Sequence, residues 1–186
     1  MQWFLRNWDQ VAIALWEHVA ISLTALTIAF VLSLAIGIVA ARRPRVYAAA
    51  LGISGFLYTI PTLAFLALLI LVRNITTGIR TVPIDVVDSA RGMGMSPLQI
   101  LAKVELPLAS PVIVAGLRVA AVTVISVTVV AAYINAGGLG TLIFNGIAGD
   151  HPPKIWAGAL TACALAIAVD LSLAAIERRL RRAHAG

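Results

Sequence analysis

The sequence predicts an all-α fold: a polytopic helical membrane protein with one domain over residues 1–186. Hydrophobic residues make up 61% of the chain and charged residues only 12%, about half the share usual in soluble domains. Long uncharged runs recur, and the arginines cluster beside them. That placement is typical of topology signals and anionic lipid headgroups, so the net charge of +6 does not indicate a nucleic-acid partner.

The first membrane helix is predicted over residues 19–41, an uncharged run of 23 residues. Its length of about 34 Å exceeds a hydrocarbon core of about 30 Å. Arg42, Arg43 and Arg45 follow it, which places this end in the cytoplasm and the N-terminus outside. Residues 1–18 are amphipathic and rich in tryptophan, so an interfacial helix and a soluble extension are both open.

Three further apolar stretches follow, over residues 46–72, 112–134 and 155–176. The first is interrupted by Pro61. The second is rich in Val, Thr and Ile, yet a helix is expected because a lone strand would leave its backbone unsatisfied in lipid. The third is followed by Glu177 and four arginines, which indicates a cytoplasmic C-terminus.

The number of crossings raises a parity problem. Residues 42–45 and the basic segment 73–107 both have the charge of cytoplasmic loops, which requires an even number of crossings between them. Residues 46–72 make about 40 Å of helix, enough for only one crossing. Either this stretch is re-entrant or the chain lacks one helix.

The loop over residues 81–110 is densely punctuated. Pro83 predicts the start of a short helix, and Gly92 and Gly94 predict its end. Ser96 with Gln99 has the spacing of a capping box, which starts a second short helix over residues 97–105. We expect that helix to end before Pro107, with a new start at Ser110-Pro111 for the next membrane helix.

This loop resembles the signature of ABC-importer permease subunits, in which a Glu-Ala-Ala triplet precedes a glycine and a distant Ile-x-Leu-Pro. The matching residues are Asp88, Ser89, Ala90, Gly94, Val104, Leu106 and Pro107, with Gly92 beside them. Asp, Ser and Val replace the usual Glu, Ala and Ile. The resemblance implies that the loop docks on a cytoplasmic ATPase and transmits its movement; an ordinary amphipathic loop is the plain alternative.

Nearly the whole chain is similar to the permeases for glycine betaine, choline and related osmoprotectants. The similar stretches are Trp16-Glu17-His18, Thr59-Ile60-Pro61-Thr62-Leu63-Ala64, Val72-Arg73-Asn74, Ala90-Arg91-Gly92-Met93-Gly94-Met95 and Ala136-Gly137-Gly138-Leu139-Gly140. That family has about five membrane helices and about 20 further residues, one helix's worth, at the position of Ile70-Leu71. We therefore expect either a break in the chain at this point or a real deletion.

The resemblance implies a transport subunit of the bacterial plasma membrane that is not itself an enzyme. The implied partners are P-loop ATPase subunits that carry ATP and Mg, a second permease subunit (identical or paralogous), an extracytoplasmic binding protein and the lipid bilayer. No cofactor is expected in this chain, which has no P-loop motif. The alternatives are an importer for another small solute such as an amino acid, a channel or secondary transporter not driven by ATP, and a membrane subunit without a transport path.

Three other groups are candidate sites. Arg118 and Asp170 lie inside apolar helices at similar depth, so we expect them to face each other, as a structural pair more than as a substrate site. Gly137, Gly138 and Gly140 are expected in an outer loop near a gate, or in a plain flexible loop. Tyr58 and Tyr133 could offer aromatic faces to a quaternary ammonium, although packing is the commoner role of such residues.

Overall fold

The structure is a computed structural model that describes residues 2–43, 45–49 and 63–183. Its helices are α1 (Gln2–Arg6), α2 (Trp8–Arg42), α3 (Leu63–Arg80), α4 (Ile84–Gly92), α5 (Pro97–Ile100), α6 (Leu106–Ala131), α7 (Leu139–Ala148) and α8 (Pro152–Ala183). A π-helical segment, Leu101–Glu105, joins α5 to α6, and a 3-10 turn, Ala132–Ile134, follows α6. These ranges contain no strand, which confirms the predicted all-α fold.

Helix α2 is longer than the predicted first membrane helix. It has 35 residues and is about 52 Å long, and it includes residues 8–18, which the sequence left as an interfacial or soluble segment. The extension is helical because one of its faces is apolar and buried: Val11, Ala14 and His18 pack against α7 and α8 or the turn before α7. The N-terminal part of α2 thus belongs to the helical bundle.

Helices α2 and α3 run parallel, and this resolves the parity problem. Ser33 Oγ donates to the Leu68 carbonyl at 3.0 Å, and Arg80 donates to the Ala40 carbonyl at 3.0 Å, so the two chains advance in the same direction. Both helices therefore end at the same side of the bundle. Residues 50–62, which connect the two helices in sequence, lie outside the described part.

The expected break at Ile70-Leu71 is wrong. Helix α3 continues through both residues, and Leu71 is fully buried against the helices beside it. The difference in length from the family is thus a property of this sequence. Residues 73–80 also belong to α3 and not to the basic loop, because Asn74, Thr76 and Gly78 fit between α2 and α6.

The second loop helix does not end before Pro107, so that prediction is also wrong. Helix α5 passes through the π segment into α6, and residues 97–134 form one continuous rod. Proline lacks an amide hydrogen and its ring crowds the carbonyl four residues earlier. The wider π turn just before Pro107, in which the Leu106 amide bonds to the Leu101 carbonyl, accommodates this. Pro111 lies inside α6 and does not start a helix.

The residues after Gly138 form a helical hairpin and not the loop that the sequence predicted. Helix α7 has only ten residues, about 15 Å, too short to cross a bilayer. It packs antiparallel against α8, with Gly158 close to Leu139 and Leu142. We call the side of the bundle with residues 81–105 the loop end and the side with the α6–α7–α8 connections the hairpin end.

Three described helices are long and apolar enough to cross a membrane: Trp8–Arg42, Pro97–Ile134 and Pro152–Arg182. A fourth span is obtained only if Leu66–Arg80 and Ile84–Gly92, which are bent by 65°, are counted together. The main core lies between α2, α3 and α6, and a second core lies between α2, α7 and α8. The multi-helix membrane fold is confirmed.

Candidate functional site

The loop end contains a compact unit of two short helices. Helix α4 starts after Pro83 and has Asp85 in its first turn, where a carboxylate interacts favourably with the helix dipole. Asp88 and Arg91 form an ion pair at 2.7 Å on its exposed face. Ser89 and Ala90 follow on the same helix, and Ala90 faces inward with only 2% of its surface exposed.

Gly94 produces the sharp turn between α4 and α5. Its φ is +81°, and the amides of Gly94 and Met95 bond to the carbonyls of Arg91 and Ala90. This hydrogen-bond pattern is a Schellman motif with Gly94 in the left-handed position. A Cβ at Gly94 would meet no atom within 4 Å, so the backbone conformation and not packing requires glycine here.

The capping box predicted for the second helix is confirmed. Ser96 Oγ accepts from the Gln99 amide at 3.3 Å, and Gln99 Oε1 accepts from the Ser96 amide at 2.8 Å. Beneath it lies a small core of Val87, Ala90 and Ile100, with Met95 and Val104 packed against it. The two loop helices are therefore held to each other by their own apolar contacts.

Two large apolar side chains lie exposed at the tip of this unit. Met93 is 75% exposed and Leu98 is 74% exposed, on either side of the Gly94 turn. Neither residue was predicted as part of the site, because the signature contains the glycine and the Leu-Pro pair of this loop but neither Met93 nor Leu98. Of the predicted residues, Val104 and Leu106 are half-buried and Pro107 is exposed where the rod leaves the loop unit.

The structure brings Arg118 and Asp170 together. Arg118 Nε donates to Asp170 Oδ1 at 3.0 Å and Nη2 donates to Oδ2 at 3.1 Å, a bidentate pair. Arg118 Nη1 also donates to Glu177 Oε2 at 2.8 Å, and Arg181 pairs with the other Glu177 oxygen. Sequence reasoning missed Glu177 as a partner, although its seven-residue spacing from Asp170 puts both on one helix face.

An open groove of about 640 Å³ borders this ion-pair cluster. It is lined by α6 and α8, with Arg118, Asp170 and Glu177 at one end. Every charge in the cluster has a partner of opposite sign, which offsets the cost of placing charges in apolar helices. The geometry is that of a cross-brace between the two helices.

The hairpin end is clamped onto α2 through two successive backbone amides. The Gly138 amide donates to Glu17 Oε2 at 2.9 Å, and the Leu139 amide donates to His18 Nδ1 at 3.3 Å. Because Nδ1 accepts, Nε2 carries the proton and donates to the Ile125 carbonyl at 3.1 Å. His18 is fully buried and ties α2, α6 and the turn before α7 together.

The three predicted glycines have two different roles. Gly137 and Gly138 have φ of +88° and +82°, and these conformations aim the next amides at α2. A Cβ at Gly140 would overlap the Val129 carbonyl oxygen, so close helix packing requires glycine there. The sequence predicted the glycines as a site but not Glu17 or His18. The only sequence signal for these two residues was that their stretch is similar to the osmoprotectant permeases.

Of the two candidate tyrosines, the described residues include Tyr133. Tyr133 is 79% exposed at the hairpin end, and its ring meets Phe144 edge to face with centroids 5.6 Å apart. Tyr58 lies outside the described residues. No three metal-binding side chains cluster within the part of the chain that the structure describes.

Comparison with known proteins gives a consistent result. Residues 71–182 match a family model described as "Binding-protein-dependent transport system inner membrane component". The carnitine transport permease protein OpuCB of Listeria monocytogenes is 35% identical over 198 aligned residues, which cover 95% of this chain and 91% of that protein. The choline transport system permease protein OpuBB of Bacillus subtilis is 33% identical over 97% of this chain and 93% of its own length.

Other matches extend the same likeness. The osmoprotectant import permease protein OsmW of Salmonella typhimurium is 32% identical over 91% of each chain. Among solved structures, the MetNI methionine ABC transporter in an inward-facing conformation matches with a TM-score of 0.79 and 19% identity, over 94% of this chain and 97% of that one. The alignment of 198 residues is longer than the 186 residues of this chain, so the relative has residues that this chain lacks.

Proposed function

We propose that this chain is the membrane-spanning subunit of an osmoprotectant importer driven by ATP. The chain belongs to the family of binding-protein-dependent transport system inner membrane components. Its substrate is a small quaternary ammonium solute such as glycine betaine, choline or carnitine. The relatives named for carnitine, choline and osmoprotectants support this substrate class. Transport proceeds by alternating access between two permease subunits, identical or paralogous.

One observation carries the proposal: the loop end presents a rigid two-helix unit with an apolar tip. Met93 and Leu98 are largely exposed, while Val87, Ala90 and Ile100 hold the unit together from within. Exposed apolar side chains on a rigid support are typical of a docking surface for another protein. The partner is a cytoplasmic P-loop ATPase that carries ATP and Mg, since this chain has no P-loop motif of its own.

The predicted residues of the loop form two groups, one at the turn between the short helices and one at the junction with α6. Gly94 fixes the angle between the helices, with Gly92 just before it and Asp88, Ser89 and Ala90 on the helix it ends. The Val104, Leu106 and Pro107 positions continue the unit into α6, so that force on the tip reaches a membrane helix. The loop is in this role a lever between the ATPase and the transport path.

The other predicted sites have supporting parts. The Arg118–Asp170 pair braces α6 against α8 near the loop end. The turn with Gly137 and Gly138, together with Gly140 at the start of α7, forms part of the outer gate, where an extracytoplasmic binding protein delivers substrate. Tyr133 is a candidate substrate contact at that end, with Tyr58 outside the described residues. The N-terminus lies outside and the C-terminus in the cytoplasm of a multi-pass inner membrane protein.

The proposal is tested by reconstitution. The chain, its ATPase and its binding protein are purified together and placed in proteoliposomes, and uptake of labelled glycine betaine, choline, carnitine and methionine is measured with and without ATP. We expect ATP-dependent uptake of at least one quaternary ammonium solute. An ATPase variant that lacks the P-loop lysine is the control.

Two results would contradict the proposal. Uptake that is unaffected by the P-loop lysine variant would indicate a channel or secondary transporter. Uptake of methionine in preference to all three quaternary ammonium solutes would retain the ATP-driven importer and reject the substrate class.

A further inference from the structure

We propose that the last turn of α2, residues 40–42, receives the movement of the loop over residues 81–110. In this proposal the ion pair between Arg42 and Glu105 positions the loop against α2. This inference rests on the proposed function. The signature of ABC-importer permease subunits specifies neither residue. Arg42 lies on another helix, and Glu105 occupies the x position of the Ile-x-Leu-Pro segment, where any residue type is allowed.

Both ends of the loop are fastened to the same turn of α2. Just before the loop, the Arg80 guanidinium donates to the carbonyls of Ala40 and Ala41 at 3.0 and 3.2 Å. Just after it, Glu105 Oε2 accepts from Arg42 Nη2 at 2.7 Å. A displacement of the loop unit relative to the membrane helices must therefore strain one or both of these attachments.

The chemistry of the two attachments suits a firm connection. The last carbonyls of a helix lack partners within the helix and carry partial negative charge, so the Arg80 cation satisfies them well. Arg80 also lies over the Tyr47 ring, 4.6 Å from its centroid. The Glu105 side chain is only 12% exposed, whereas that of Arg42 is 43% exposed, so the carboxylate is sheltered while the guanidinium is partly open to screening by salt.

Arg42 also borders the loop unit itself. A pocket of about 230 Å³ is lined by Arg42 and Glu105 together with Val87, Met95 and Ile100, which belong to or pack on the small loop core. Glu105 stands at the end of the π segment, where the hydrogen-bond register changes from π to α. A change of register there would move Glu105 and pull on Arg42.

Helix α2 continues from this turn to the hairpin end, where Glu17 and His18 hold the turn before α7. The two ends of one 35-residue helix thus contact the loop unit and the outer turn. This is a contiguous set of packed and hydrogen-bonded elements through which a movement can pass.

The test uses the reconstituted transporter with Arg42→Gln, Glu105→Gln and the double variant. We expect each single change to reduce the substrate transported per ATP hydrolysed by roughly two- to thirtyfold, while the ATPase still co-purifies. The double variant should be no worse than the worse single variant, because the interaction is already lost. Arg43→Gln is the matched control, with the same change of charge one residue away and no ion pair among the described residues.

The outcomes separate this inference from the function on which it rests. Normal transport per ATP in both single variants, or additive losses in the double variant, would overturn the positioning role and leave the importer assignment intact. Equal losses with Arg43→Gln would also overturn it, since they would indicate a general charge effect. If the unmodified transporter shows no ATP-dependent uptake, the proposed function itself fails.

Discussion

The two ends of the bundle are built in opposite ways. At the hairpin end, glycines let backbones approach closely, and a buried histidine joins three elements. At the loop end, a small unit has its own core, shows Met93 and Leu98 to the outside, and is attached at its base by a few charged contacts. Close backbone packing thus holds the hairpin end together, whereas the loop end is a separate small unit joined to the bundle by polar contacts.

The largest effect should come from filling a close contact at the hairpin end. Gly140→Ala places a methyl group against the Val129 carbonyl, and a backbone atom cannot step aside as a side chain can. We expect a loss of about 3 kcal/mol in the free energy of unfolding, measured by chemical denaturation in detergent. Gly92→Ala, which meets no atom within 4 Å, should be neutral or stabilise the protein by up to about 1 kcal/mol. Equal losses in both variants would remove the contrast between the ends.

The next effect concerns function at the loop end. Gly94→Pro cannot adopt a φ of +81°, and it removes the amide that bonds to Arg91. We expect ATP-driven uptake to fall by at least about tenfold, equivalent to 1.4 kcal/mol of coupling, while membrane insertion stays normal. Gly94→Asn should retain most activity, because Asn tolerates the left-handed region. Normal substrate-stimulated ATP turnover in Gly94→Pro would count heavily against the lever role.

The ion-pair cluster tests whether the loop half of the bundle depends on charged braces. Arg118→Gln leaves Asp170 and Glu177 close together without the cation that pairs with both. We expect a lower melting temperature, measured by a thermal shift assay in detergent. Arg181→Gln, at an exposed position on the same cluster, should have a much smaller effect because Glu177 keeps its contact with Arg118. A melting temperature that is equally lowered by both changes would contradict the cross-brace.

The smallest effect is expected from a single hydroxyl pair between α2 and α6. Ser22 Oγ donates to Thr128 Oγ1 at 3.1 Å in a buried position. Such bonds between membrane helices contribute about 0.6 kcal/mol on average, so Ser22→Ala should change the free energy of unfolding by about that amount. A loss of unfolding free energy as large as that of Gly140→Ala would show that polar contacts, and not close packing, hold α2 and α6 together.

The predictability of the fold follows the range of the interactions involved. Long apolar runs predicted the three longest helices, and local signals predicted the Gly94 turn and the Ser96–Gln99 capping box, since each depends on residues close in sequence. The parallel arrangement of α2 and α3 depends on contacts such as Ser33 with Leu68, which no local pattern contains. The parity argument left a re-entrant stretch and a missing helix both open, and the parallel arrangement of α2 and α3 agrees with the first, because both helices end on the same side.

The candidate site shows the same division. Arg118 and Asp170 could be paired from sequence because a charge in an apolar helix needs a partner at its own depth. The clamp by Glu17 and His18 could not, because it joins residues more than a hundred positions apart through backbone amides. The ten-residue helix α7 was taken as part of a loop, because glycines permit positive-φ turns as well as close packing and no local signal decides between the two.

The proposed function requires the loop unit to lie on the cytoplasmic side of the membrane, where an ATPase can reach it. Cys163 is the only cysteine in the sequence, so Cys163→Ser gives a background without thiols. Leu98→Cys and Tyr133→Cys are then labelled with a membrane-impermeant maleimide in right-side-out and inverted vesicles. We expect Leu98→Cys to react only in inverted vesicles and Tyr133→Cys only in right-side-out vesicles. Reaction of Leu98→Cys in right-side-out vesicles would contradict a cytoplasmic loop unit and with it the docking of an ATPase there.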